Sequence, residues 1–205
     1  MSSLTLLVIQ DLAFDQSGPF SLTLQRGECV GLSGPSGSGK TRLLRAVADL
    51  DVHTAQMWLD GVACEDTSAP VWRRRVGLLP SESAWWYDEV GAHFGSAPAT
   101  DRLQALGFGD EVLHWRVDRL SSGERQRLAV LRLLSIEPRV LLLDEPTANL
   151  DEDNAAGVES LVRDYLLRRD AAAIWVGHDN RQLQRVAARC YRIDQERLVE
   201  TEAAA

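Results

Sequence analysis

The chain has 205 residues, 45% of them apolar and 25% charged, the balance of a globular domain with a buried core; collagen-like, fibrous and disordered classes are excluded for its body. Twenty-two Lys and Arg face 30 Asp and Glu, a formal charge of −8, so no nucleic-acid partner is expected, because phosphate contacts demand a basic face. Cys29, Cys64 and Cys190 are widely spaced and lack a Cys-x-x-Cys pair, which argues against a disulfide framework or a zinc site and suits a reducing compartment.

No apolar run approaches the roughly 18 residues of a membrane-spanning helix, and Met1-Ser2-Ser3-Leu4 lacks the basic stretch of a signal peptide. The expectation is a cytoplasmic chain with a frayed end over Thr201 to Ala205. Strand-like runs come first, at Leu4–Leu12, Phe20–Leu24 and Cys29–Ser33, separated by the turn residues Gln16-Ser17-Gly18-Pro19 and Arg26-Gly27-Glu28. Leu43, Leu44 and Val47 form a helical stripe, and further short strands are expected at Met57–Asp60 and Arg75–Leu79. Residues 81–119, of mixed polarity with glycines at 91, 95, 107 and 109, read as a mostly helical insertion. Leu128, Leu131 and Leu134 mark another helix. Val140–Leu143 and Ala173–Val176 are short and wholly apolar, as strands covered on both faces are, and helical spacing lies between them at Val158, Leu161, Val162, Tyr165 and Leu166. The fold expected is α/β, with a mainly parallel core sheet, an antiparallel N-terminal β part and an inserted helical lobe; the glycine-rich run Gly34–Thr41 between the third strand and the helix that follows makes it a phosphate-loop domain. It forms one domain over 1–205, with the core in 1–80 and 120–200 and the lobe in 81–119.

Gly34-Pro35-Ser36-Gly37-Ser38-Gly39-Lys40-Thr41 fits the Gly-x-x-x-x-Gly-Lys-Ser/Thr pattern at every fixed position, between an apolar strand and a helix. Glycines let backbone N–H groups converge on phosphate oxygens, Lys40 reaches the β/γ-phosphates, and the Thr41 hydroxyl can take Mg²⁺. These residues, with Arg42 behind them, are the candidate nucleotide contacts. Leu141-Leu142-Leu143-Asp144-Glu145-Pro146 is a strand ending in two carboxylates. Asp144 stands where ligands bind in parallel sheets and is a candidate for Mg²⁺, and Glu145 is placed to deprotonate an attacking water.

Leu120-Ser121-Ser122-Gly123-Glu124 lies between these two motifs, and Asn149-Leu150-Asp151 and His178-Asp179 follow them. In this order and spacing the sequence resembles the ATP-binding cassette (ABC) ATPases, and within them small bacterial cassettes for iron export. The resemblance implies bound ATP and Mg²⁺, catalysis by Glu145 and His178, and a signature loop whose Ser121 and Gly123, with Asp151, serve the nucleotide of a second cassette in a head-to-tail dimer. It also implies a separate membrane permease as partner, with the chain held at the inner face of the membrane. Two departures stand out. Ser81 occupies the place of the family's Mg²⁺-contacting Gln, with Glu82 beside it as a replacement ligand, and Gln16 stands near the place of the adenine-stacking ring, with Phe14 and Phe20 as alternatives or as core. Trp85-Trp86-Tyr87 reads equally as a socket for a partner helix or as lobe core, Arg73-Arg74-Arg75 as a solvated face, and His53, His93 and His114 as surface or lobe residues. Set against a transport ATPase stand a soluble ABC ATPase without a membrane partner and a nucleotide-gated switch that hydrolyses little.

Overall fold

The computed structural model describes residues 4–194 and 197–201; Met1-Ser2-Ser3 and the tail from Glu202 lie outside them. In chain order the elements are β1 (Thr5–Phe14), β2 (Ser17–Gln25), β3 (Cys29–Ser33), α1 (Lys40–Val47), β4 (Thr54–Leu59), β5 (Val62–Ala63), α2 (Ala69–Arg75), β6 (Val76–Leu79), α3 (Thr100–Ala105), α4 (Ser122–Ser135), β7 (Val140–Asp144), α5 (Glu152–Arg169), β8 (Ala172–Val176), α6 (Asn180–Val186), β9 (Arg189–Asp194) and β10 (Arg197–Thr201). One sheet, β2-β1-β4-β5, is antiparallel throughout. The other runs β10-β9-β3-β8-β7-β6, and its strands are parallel except for β10 at the edge. The mainly parallel core and the antiparallel N-terminal part thus stand as expected.

Every residue of β7 and β8 is buried, and strand periodicity divides their side chains between two cores. Leu141, Leu143, Ala173 and Trp175 join Leu128, Leu131 and Leu134 of α4 and Val158 and Val162 of α5. Val140, Leu142, Ile174 and Val176 face the other way, onto Leu43, Leu44 and Val47 of α1 and onto the N-terminal sheet through Leu6, Leu24 and Phe20. Each fully buried Leu contributes about 1.5–3 kcal/mol, so these strands anchor both layers.

Residues 81–119 contain one α-helix, α3, and 3-10 turns at Gly91–His93, Asp110–His114 and Val117–Arg119; the remainder is irregular, less helical than expected. Its apolar residues Val90, Leu103, Phe108 and Val112 pack into the α4–α5 core rather than a core of their own. The arginine run ends α2, and Arg75 is tied to Asp60 at 2.6 Å while Arg73 donates to the Asp49 carbonyl at 3.0 Å, so two of the three hold neighbouring turns instead of only facing water. Thr201 is the last residue of β10 and donates through Oγ1 to the Cys190 carbonyl at 3.2 Å, which corrects the expectation that fraying begins there.

Candidate active site

β3 ends at Ser33 and α1 begins at Lys40, leaving residues 34–39 as the turn between strand and helix. Gly34 and Gly39 hold φ of 152° and 94°, conformations that side chains resist. A Cβ on Gly34 would also come within 2.7 Å of Ser38 Oγ. That hydroxyl oxygen is buried and has no hydrogen-bond partner among the described residues. The loop is therefore a cradle with an unsatisfied polar atom at the start of a helix, and an anion with several acceptor oxygens fits it. Lys40 is buried, and its Nζ donates to the carbonyls of Gly34 (2.9 Å) and Pro35 (3.0 Å). It is held over the loop by weak acceptors that a phosphate can replace. Pro35, Ser36 and Gly37 form the exposed rim. Arg42, by contrast, is ion-paired with Asp15 and lies over the Phe14 ring, 5.1 Å from its centroid.

The parallel register sets Asp144 beside Val176, so the ends of β7 and β8 deliver their following residues to one edge. Thr41 Oγ1 donates to Asp144 Oδ2 at 2.7 Å, bringing the loop and the acidic strand together across 103 positions of chain. Asp144 is 2% exposed, and burial pushes its carboxyl up from the ordinary value while the Thr41 hydrogen bond opposes the rise and the Glu145 charge adds to it. A hard cation would repay that cost, and one hydroxyl with one carboxylate is the donor set that Mg²⁺ takes beside phosphate oxygens. Glu145 turns out of the strand at φ 52°. His178 Nε2 lies 2.8 Å from Glu145 Oε1, so the two candidate catalytic residues are in contact, both partly open to solvent.

Gln126, which sequence reasoning passed over, is buried on α4 and donates to the Glu145 carbonyl at 3.4 Å. Its signal was a polar side chain on the face of α4 that otherwise carries Leu128 to Leu134 inward. Ser121 caps α4 in a reciprocal box: its Oγ accepts from Glu124 N at 3.2 Å, and Glu124 Oε2 accepts from Ser121 N at 2.8 Å. Glu at 124 thus serves the helix start, and the Ser121 hydroxyl keeps its own proton free to donate. Ser121 and Ser122 are exposed, while Gly123 backs onto Leu150, whose Cδ2 a Cβ there would meet at 3.1 Å. Asp151 caps α5 through Asn154 N at 2.8 Å, and that bond holds its carboxyl below the ordinary value. Glu82 is exposed, three residues beyond the end of β6, the strand that pairs with β7. Phe14 and Phe20 are both core residues, 4% and 1% exposed, and neither offers a free face for an adenine ring.

The aromatic run divides: Trp85 packs against the core, whereas Trp86 and Tyr87 are more than half exposed. His93 organises all three. Its Nε2 accepts from the backbone N–H groups of Trp86 (2.9 Å) and Tyr87 (3.0 Å), and Nδ1 is 3.0 Å from the Glu89 carbonyl, which fixes the neutral tautomer. Burial holds this imidazole below its ordinary value, and the charge of Arg132 adds to that. The unfolded chain therefore takes up the proton first. Stability from His93 is whole above the unfolded value of about 6.5 and is lost as pH falls through the lower folded value. Melting temperature between pH 7.5 and 5 is expected to drop more in the parent than in His93→Gln; parallel curves would contradict this assignment.

The family model of the ABC transporter matches residues 18–148. The chain is 38% identical over 179 residues to the lipoprotein-releasing system ATP-binding protein LolD of Maricaulis maris, covering 78% of each. It is 30% identical over 175 residues to the probable iron export ATP-binding protein FetA of Escherichia coli, covering 80% of this chain and 78% of that one. Against the sulfate/thiosulfate import ATP-binding protein of Cucumis sativus it is 38% identical over 82% of its own length but spans only 53% of the relative. A bacterial Atm1-family ABC exporter with ATP bound superposes with a TM-score of 0.84 at 21% identity, over 98% of this chain and 39% of that one, a likeness of fold.

Proposed function

Since the chain belongs to the ABC transporter family and is an ATPase of transport, we propose that it energises a transporter whose membrane-spanning chains are separate, two copies closing head to tail over two ATP molecules. The observation that carries this reading is the meeting of Lys40, Thr41, Asp144, Glu145 and His178 at one sheet edge. The relatives LolD and FetA, which this chain matches over most of their length, are named as ATP-binding proteins of a lipoprotein-releasing system and of iron export. Among the described residues no helix is long and apolar enough to cross a membrane. In this reading a separate permease holds the chain at the inner face of the membrane.

The chemistry follows from the residues. Loop N–H groups at the start of α1 bind the terminal phosphates, and Lys40 exchanges the Gly34 and Pro35 carbonyls for β/γ-phosphate oxygens. Thr41 Oγ1 and Asp144 would hold Mg²⁺, which when bound would supply positive charge to offset the phosphate charge. Glu145 orients the attacking water and accepts its proton as the water oxygen bonds to the γ-phosphorus and the bond to ADP breaks. His178, with Nε2 2.8 Å from Glu145 Oε1, donates to it and keeps the carboxylate aimed at the water.

Ser121 is exposed at the start of α4 and Gly123 backs onto Leu150, and the exposure of Ser121 supports its use by the partner's nucleotide. Ser121→Arg is expected to reduce hydrolysis at least about a hundredfold, while ATP affinity of the monomer stays within about twofold. Affinity lost on the scale of Lys40→Ala would place the loop at its own nucleotide. Glu82 is proposed as the ligand replacing the Gln absent at Ser81. Glu82→Ala should raise the Mg²⁺ concentration needed for both tight nucleotide binding and hydrolysis, and Ser81→Ala should leave it unchanged; titration of both variants with Mg²⁺ decides, and a parent-like Glu82→Ala overturns the role.

A further inference from the structure

A cleft of about 490 Å³ opens between α5, the start of β3 and the turn before β9. Cys29, at the first position of β3, lines it, whereas the phosphate loop leaves the last, so roughly 13 Å of strand separates the two sites. The volume falls in the range of small-molecule pockets. Its wall is mixed, with an apolar part formed by Val162 and Leu166 from α5 and Trp175 from β8.

Charge decides what the cleft can take. Two carboxylates line it, and both are already satisfied. Glu28 binds Arg189 Nε at 2.7 Å and accepts from Gln25 N at 2.7 Å, while Glu159 binds Arg185 at 3.0 Å and Gln182 at 2.8 Å. Arg163 is different: it lines the same cleft, and its one contact among the described residues is a 3.4 Å hydrogen bond to Ser160 Oγ on its own helix. Trp175 is wall to the cleft, not a donor into it. Trp175 is 1% exposed, and its indole Nε1 is buried with no acceptor among the described residues.

We propose that this cleft is a second ligand site, for a small molecule with a carboxylate on an apolar body, the carboxylate meeting Arg163 and the apolar part lying against Val162, Leu166 and Trp175. The site is separate from the nucleotide site and does not depend on ATP.

Octanoate is the probe, followed by calorimetry on the full chain, with octanol and octylammonium as controls. Octanoate is expected to bind one site with a dissociation constant of about a millimolar, and both controls at least tenfold more weakly. Arg163→Glu, an exposed change that leaves the core intact, should weaken octanoate at least about tenfold, and Trp175→Phe should weaken it severalfold. Lys40→Ala should bind octanoate as the parent does. Equal binding of octanoate by the parent and Arg163→Glu overturns the proposal, as does octanol binding that matches octanoate. Loss of octanoate binding in Lys40→Ala would assign the signal to the phosphate loop instead and overturn it as well.

Discussion

Replacement of Lys40 by alanine is expected to lower ATP affinity about a hundredfold and to bring hydrolysis to background. The side chain is buried at the loop with its ammonium on two backbone carbonyls, so in the parent it is already positioned where the terminal phosphates arrive. Charge-assisted hydrogen bonds are worth about 1.5–3 kcal/mol each, and roughly 3 kcal/mol of lost interaction is a factor near a hundred. Fluorescent-nucleotide titration and phosphate release measure the two effects. The alanine also frees the Gly34 and Pro35 carbonyls to water at an exposed rim, so the fold should tolerate it, and an unchanged circular dichroism spectrum is part of the expected result. Turnover near that of the parent would remove the loop from the mechanism.

Glu145→Gln should separate binding from chemistry. The amide keeps the shape of the side chain and the contact with His178, but it cannot accept the proton of an attacking water, and a general base is worth about 10²–10⁴ in rate. The expected variant binds ATP as the parent does, hydrolyses it at least a hundredfold more slowly and accumulates as an ATP-dependent dimer. Size-exclusion chromatography with and without Mg-ATP reads the dimer directly. A monomer under both conditions counts against closure over two nucleotides, and undiminished turnover counts against Glu145 as the base.

The core of this fold is legible in the chain because burial on both faces writes an unbroken apolar run. Cys29–Ser33, Val140–Leu143 and Ala173–Val176 are of that kind, and the structure extends β7 by Asp144 and begins β8 at Ala172. The phosphate loop and the acidic strand end are legible for a similar reason, since their chemistry fixes residue types at fixed spacing. Other parts depend on contacts far apart in sequence. Asp15 meets Arg42, and Gln126 reaches Glu145, through packing that no local pattern encodes. Strand β9 buries only Cys190 and Ile193 of its six residues among arginines and a tyrosine, so its apolar signal is thin. In 81–119 the glycines interrupt helical propensity, and the short turns there are held by apolar residues that dock on α4 and α5 rather than by helix formation.

The alternation of β7 and β8 between two cores constrains how the gene for such a chain can change. Inserting or deleting a single codon within Val140–Leu143 would reverse every side chain between the change and Asp144 if the start of the strand kept its register, sending residues fitted to the α4–α5 layer toward α1 and the converse. It would also carry the carboxylate of Asp144 to the wrong side of the sheet, away from the Thr41 hydroxyl. Length variation is therefore closed to this strand in steps of one.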